Sequence, residues 1–291
     1  MRLLVFGATG QIGHALIEDA QKRGWEVPAP SHAEVDICDR GAVAAALRRH
    51  TPVAILNAAG YTAVDRAESE RDQAFRVNRD GAHVLAEMAA TADLPLVHLS
   101  TDYVFDGLAT APYIETDALG PHGVYAKSKE QGERAVRVAA PKHVILRTAW
   151  VFSPFGTNFL RTMLRLGAER AELSVVDDQT GCPTAASDVA NAITTILMAA
   201  QVSGFAGWGT YHCAGADAVT WFGFAKAIFE SAARFGLTPP KLYPVTTADY
   251  PRPAPRPAYS VLSTAKLERT FGIQPRPLRD SLTECLIRLR G

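Results

Sequence analysis

Residues 3–6, LLVF, form a short β-rich run that passes directly into GATGQIG (7–13), and apolar residues at helical spacing begin at the last glycine. A strand that turns straight into a helix gathers free backbone N–H groups and the positive end of a helix dipole at one point, which suits a pyrophosphate. Gly7 permits the tight turn, Gly10 lets the backbone approach phosphates, and Gly13 lets helix and strand pack closely. Thr9, Gln11 and Ile12 complete the loop. Placed in the first βα unit, this pattern predicts a dinucleotide-binding α/β fold.

The rest of the chain repeats the rhythm. β-rich runs near 54 (VAIL), 97 (LPLVHLS) and 145 (HVILRT) alternate with helical patterns at 11–24, 39–50, 72–92 and 125–140. Such alternation predicts a Rossmann-type doubly wound parallel sheet over residues 1–152. Beyond 152 the pattern loosens into helices near 158–170, 185–200, 220–236 and 277–290. Residues 153–291 are expected to form a smaller α/β substrate-binding lobe, with the apolar helix at 185–200 returning to flank the main sheet. The proline-dense PRPAPRP (251–257) reads as an ordered loop.

Thirty basic residues balance thirty acidic ones, so no electrostatic footprint for nucleic acid or an anionic membrane exists and any anion site is local. Cys38, Cys182, Cys213 and Cys285 show neither disulfide-framework nor zinc-ligand spacing. A reducing cytoplasm is expected, with no membrane segment and no signal peptide. For the adenosine half, the run WEVPAP (25–30) is read as the second strand, ending in Pro30, Ser31 and His32 without an acid for the ribose. Asp36 and Ile37 follow, with no arginine beside them for a 2′-phosphate. NADPH is favoured as cofactor, and NADH is possible.

Tyr125 and Lys129 are four residues apart in a helical pattern, so they share one face. Ser100 and Thr101 end the strand LPLVHL at the carboxyl edge, where open α/β sheets bind ligands. Ketone reduction leaves an alkoxide that needs a proton donor and a second group to hold the oxygen. Tyr125 is the candidate acid, Lys129 the charge that lowers its pKa and holds the nicotinamide ribose, and Thr101 the donor to the carbonyl oxygen.

GxxGxxG spacing resembles the short-chain dehydrogenases. The runs NAAGYTAVDRAE (57–68), FRVN (75–78), HLSTDYVFDG (98–107), YAKSKEQGE (125–133), RTAWVFSPFGTNF (147–159), VVDDQTGCPT (175–184) and RPAYSVL (256–262) together resemble the dTDP-4-dehydrorhamnose reductase family over nearly the whole chain. The resemblance implies reduction of the 4-keto group of dTDP-4-dehydro-L-rhamnose, with Thr101, Tyr125 and Lys129 as catalytic trio and Asn57, Ala58, Ala59 and Gly60 lining the cofactor. It further implies that Asp102, Tyr103 and Trp150 lie beside the sugar and that Asn158 faces the nucleotide-sugar. Arg256, in the proline-rich loop, suits a diphosphate because a guanidinium matches phosphate geometry.

One departure bears on assembly. Members of this family build a dimer around magnesium held by glutamates after the PT of GxPT and in the last helix. Here AASDVA follows Pro183 and Thr184, and the last helix offers only Glu284, so no metal is carried over and a monomer or weak homodimer is expected. Two other readings stay open. One is a reductase or epimerase of another nucleotide-activated 4-keto sugar, although no Cys and His pair stands near Tyr125 for epimerisation. The other is a non-catalytic nucleotide-binding regulatory subunit, like that of methionine adenosyltransferase, against which the intact trio argues.

Overall fold

The computed structural model describes residues 1–290. Four strands, β1 (Leu3–Phe6), β2 (Ala54–Asn57), β3 (Leu96–Thr101) and β4 (His143–Thr148), lie side by side in that order, and Gly209–His212 adds a fifth beyond β4. All four pairings are parallel. Strands in such a sheet are covered on both faces and read as continuous apolar runs, and Leu3, Leu4, Ile55, Leu56, Ile145 and Leu146 are accordingly fully buried.

The expected second strand over 25–30 is absent as a regular element, and the cause is in its prolines. Residues 26–28 do run beside β1, accepting from the Leu3 amide at Glu26 O (2.9 Å) and the Val5 amide at Pro28 O (3.0 Å). In a parallel ladder the bonds returned to the Leu3 and Val5 carbonyls would come from the amides of residues 28 and 30. Both are prolines and have no N–H, so after the Glu26 amide, which donates to the Met1 carbonyl (2.9 Å), the edge can only accept.

Helices cover both faces. Gln11–Lys22 and Ala186–Ala199 pack together over one face through Leu16, Val189, Ile193 and Leu197. Arg40–His50, Ala82–Thr91 and Gly123–Ala139 cover the other through Val43, Leu85 and Val136. The chain re-enters the first core with helix Ala186–Ala199, and the fifth strand then extends the sheet beyond the boundary expected at 152. A second core gathers helices Phe159–Glu169, Trp221–Ala233 and Leu278–Arg290 with the parallel pair Glu172–Val176 and Lys241–Val245.

The long helix expected at 72–92 is present and unbroken, but it is not α-helical throughout. An α-helical turn at Arg71–Phe75 gives way to a π-helical stretch at Arg76–Gly81 before the α-helix Ala82–Thr91. Among the described residues no helix is long and apolar enough to cross a membrane.

Candidate active site

The glycine loop sits at the carboxyl end of β1. Gly7 adopts φ +88°, and a Cβ there would lie 2.3 Å from the Ala58 carbonyl carbon at the end of β2. A Cβ on Gly13 would lie 2.5 Å from the Gly7 carbonyl oxygen and 2.6 Å from the Ala8 Cα. Both positions are therefore closed to any side chain. Gly10 differs: it precedes helix Gln11–Lys22, and a Cβ would meet nothing nearer than the Gly7 oxygen at 3.4 Å. The space above Gly10 is open, and the first helical N–H groups point to that end of the helix.

Asn57 ends β2 and shapes the next wall. Its side-chain oxygen accepts from the Ala59 amide (3.2 Å), and its NH₂ donates to His98 Nδ1 on β3 (3.0 Å). The turn Ala58–Gly60 is thus fixed against the neighbouring strand. Further out, the Asp36 carboxylate accepts from the Cys38 amide (2.9 Å) and pairs with Arg76, while Ile37 is buried in the core. An arginine does stand beside Asp36, contrary to the reading of the local sequence. It comes from the π-helical stretch, forty residues along the chain.

Thr101 ends β3, and Tyr125 and Lys129 lie on the helix Gly123–Ala139 packed across it. The trio meets at the carboxyl edge of the sheet. Burial pushes the Tyr125 phenol up to about 12, opposed by hydrogen bonding with Thr101 and reinforced by the Asp102 charge. Lys129 is buried and donates from Nζ to the Leu99 carbonyl (2.6 Å). Burial lowers its pKa to about 8, with the Glu133 charge pulling the other way. Lys129 Nζ thus sits beneath the carboxyl end of β3, on the helix that carries Tyr125.

Asp102 follows Thr101 in a single 3₁₀ turn. Its carboxylate is buried; one oxygen accepts from the Thr101 hydroxyl (2.9 Å), and the other has no partner. Burial pushes it up to about 6, against hydrogen bonds from Ser260 and Thr101. An unpartnered buried carboxylate oxygen costs free energy unless a ligand completes it, which marks this spot for a hydroxyl donor. Tyr103 stands edge-on to Tyr125, with ring centroids 6.0 Å apart.

Trp150 lies past the end of β4 at φ +46°, a conformation bulky residues rarely adopt, and stacks on Trp221 with centroids 3.5 Å apart. The indole lies over Gly181, where any Cβ would come within 2.5 Å of the ring. From this stack a cleft of about 580 Å³ opens, walled by Phe159, Met163, Val175, Gln179 and Trp221 and closed at one end by Asp65, Arg252 and Arg256.

Asn158 is used otherwise than expected. Its side-chain oxygen caps helix Phe159–Glu169 at the Arg161 amide (3.0 Å), and its NH₂ donates to Gln11 Oε1 (2.8 Å) and to the Ser153 and Phe155 carbonyls. Both ends of the amide are thus engaged within the chain. It ties the loop before that helix to the glycine loop instead.

The family model described as RmlD substrate binding domain matches residues 1–290. The chain belongs to this family. It is 46% identical to the dTDP-4-dehydrorhamnose reductase of Sinorhizobium fredii over 275 residues, 94% of this chain and 93% of that one. Identity to the protein of the same name from Aggregatibacter actinomycetemcomitans is 43%, covering 94% of each. Among solved structures, the dTDP-4-dehydrorhamnose reductase of Clostridium acetobutylicum superimposes with a TM-score of 0.93 at 36% identity, covering 100% of both chains. That of Bacillus anthracis, solved in complex with NADP, gives 0.91 at 33% identity over 99% of each.

Within this member of the family, two residues that the sequence reading did not single out connect the parts of the site. Asn78, in the π-helical stretch, accepts from the Tyr61 amide (2.8 Å) and donates to the Ser128 hydroxyl (2.9 Å), which in turn donates to the Tyr125 carbonyl (2.8 Å). Gly132, one turn past Ser128, lets the Tyr125 helix approach so closely that a Cβ would lie 2.1 Å from the Asn78 carbonyl oxygen. A π-helical bulge commonly marks a functional position, and here it joins the loop after β2 to the catalytic helix. The available signal was a polar Asn78 followed by Gly81 inside an otherwise helical run.

Proposed function

We propose that this protein reduces the 4-keto group of dTDP-4-dehydro-L-rhamnose to give dTDP-L-rhamnose, with NADPH as hydride donor. The single observation that carries the reading is the meeting of Thr101, Tyr125 and Lys129 at the carboxyl edge of β3, beside the glycine loop, in a chain of this family. The open space over Gly10 and the closed positions at Gly7 and Gly13 suit a pyrophosphate, so the residues present fit a dinucleotide. NADPH, when bound, supplies the hydride that adds to the keto carbon. Gly10 to Gly13 would hold its pyrophosphate, Asn57 to Gly60 would line it, and Asp36 with Arg76 would lie toward the adenosine end.

The chain's own residues manage the proton. Tyr125, with its phenol held protonated by burial, donates from Oη to the oxygen that gains negative charge. Thr101 turns its hydroxyl from Asp102 to that same oxygen and holds it. Lys129, buried behind the tyrosine, keeps a positive charge near the site and is placed to hold a ribose hydroxyl. The free Asp102 oxygen accepts from a sugar hydroxyl, and Trp150, its indole held between Trp221 and Gly181, meets the ring only by its edge.

The substrate's nucleotide occupies the aromatic cleft, with Arg256 at the diphosphate. The working form is a monomer or weak homodimer in the cytoplasm, without nucleic acid. The test is the fall in NADPH absorbance on adding dTDP-4-dehydrorhamnose to the purified chain, which a regulatory subunit would not produce.

A further inference from the structure

Among the charged residues lining the cleft, Arg252 and Arg256 already share a partner. Arg256 Nη2 donates to Asp65 Oδ1 (3.0 Å), while Arg252 Nη1 stands 3.8 Å from Asp65 Oδ2. The two guanidiniums thus approach the two oxygens of one carboxylate. The Ala254 amide, between them in the proline-rich loop, points to Asp65 Oδ1 as well (3.3 Å). Arg252 is further placed by stacking over the Tyr250 ring, 4.5 Å from its centroid.

Two cations and a main-chain N–H gathered on two oxygens are what a phosphate group needs, since a carboxylate and one edge of a phosphate present similar acceptors to a guanidinium. The position also fits. Tyr103 stands edge-on to Tyr125, and burial and the Asp102 charge push its phenol up while the Arg256 charge opposes them, so the arginine cluster is within electrostatic reach of the catalytic residues. Toward the other side lie Phe159, Trp221 and Gln179, an aromatic and amide surface suited to a base.

We propose that Asp65 is a placeholder: its carboxylate occupies the anion site formed by Arg252 and Arg256, and a nucleoside diphosphate binds by exchanging its phosphate oxygens for Asp65. The identification of the ligand rests on the function proposed above; the exchange itself rests on the three side chains. With Asp65 in place the cluster carries two positive charges and one negative, which keeps the guanidiniums ordered and prevents them from holding any passing anion. Only a ligand that also engages the aromatic cleft displaces the carboxylate. The device sets selectivity as well as affinity, because inorganic anions must compete with Asp65 unaided.

Calorimetric titration of thymidine diphosphate into the wild-type protein and the Asp65→Asn and Arg252→Gln variants tests this. Asparagine keeps an oxygen acceptor for Arg256 and the Ala254 amide but removes the competing charge. One unit charge several ångströms from the ligand at a solvated site changes affinity by about three- to tenfold. Asp65→Asn is therefore expected to bind about three- to tenfold tighter, and Arg252→Gln weaker by a similar factor with a flatter salt dependence. Inorganic pyrophosphate should gain relatively more from Asp65→Asn than thymidine diphosphate does.

Equal or weaker binding by Asp65→Asn, in a protein that melts at the wild-type temperature, overturns the proposal. So does unchanged binding by Arg252→Gln, whose half-exposed side chain is no part of the core. A wild-type protein that shows the predicted shifts but does not reduce dTDP-4-dehydrorhamnose refutes only the proposed reaction. Turnover of that sugar without the shifts refutes only the placeholder.

Discussion

Gly10→Ala and Gly13→Ala separate a glycine kept for a ligand from one kept for the fold. At Gly10 the backbone has φ −76° and ψ 167°, which alanine adopts freely, and the added methyl would touch only the Gly7 oxygen at 3.4 Å. Losing glycine at a helix N-cap costs about 1 kcal/mol or less, so the melting temperature should change little. The methyl does project into the open space above the first helical turn, where a pyrophosphate would lie. NADPH affinity should fall at least about tenfold, equivalent to ~1.4 kcal/mol.

At Gly13 the added methyl would meet backbone atoms of Gly7 and Ala8 at 2.5–2.7 Å. Backbone cannot rotate away as a side chain can, and such overpacking costs roughly 1–3 kcal/mol or more. For a chain of this size that lowers the melting temperature by ~2–4 °C per kcal/mol. Thermal melting and a fluorescence titration with NADPH read the two variants side by side. A Gly10→Ala protein that binds NADPH within about twofold of wild type would refute the assignment of this loop to the pyrophosphate.

Three further outcomes are expected. Tyr125→Phe removes only the phenolic hydroxyl, so NADPH binding should persist while turnover falls about a hundred- to ten-thousand-fold; more than half of wild-type turnover would dismiss Tyr125 as the acid. Asp102 accepts from a sugar hydroxyl only when ionised, and burial raises its pKa to about 6. The KM for the sugar should therefore rise as pH falls through about 6 in the wild type and stay flat in Asp102→Asn. The linkage sign follows: for an acid with a raised folded pKa, the burial penalty on stability is felt above that pKa and relieved as pH falls below it. Finally, Arg276 Nη1 lies 2.8 Å from both Asp188, after the GxPT segment, and Glu284, in the last helix, and occupies the space between them, so EDTA should leave turnover unchanged.

The parts of the site legible in the sequence are those made by contiguous residues. The glycine loop follows from one strand, three glycines and one helix, and Tyr125 with Lys129 follows from helical spacing alone. What escaped was made at a distance. Arg76 reaches Asp36 across forty residues, and its helix could be seen but not the loop it packs beside, which only the tertiary fold brings to it. The family resemblance implied that Asn158 faces the nucleotide-sugar, whereas the chain uses its amide to cap a helix and hold Gln11. The missing edge strand had a local cause, since Pro28 and Pro30 remove the very donors a ladder needs. Spacing put Lys129 on the Tyr125 face of the helix, but not its bond to the Leu99 carbonyl on β3.

The central claim is that the trio at the edge of β3 reduces a nucleotide-activated 4-keto sugar. Its most direct measurement follows NADPH oxidation at 340 nm with dTDP-4-dehydrorhamnose as substrate and identifies the product by mass spectrometry. The account predicts one NADPH consumed per sugar and a product heavier than the substrate by two hydrogens, both lost in Tyr125→Phe. NADPH consumption that survives that substitution, or none with the wild-type protein, would contradict it.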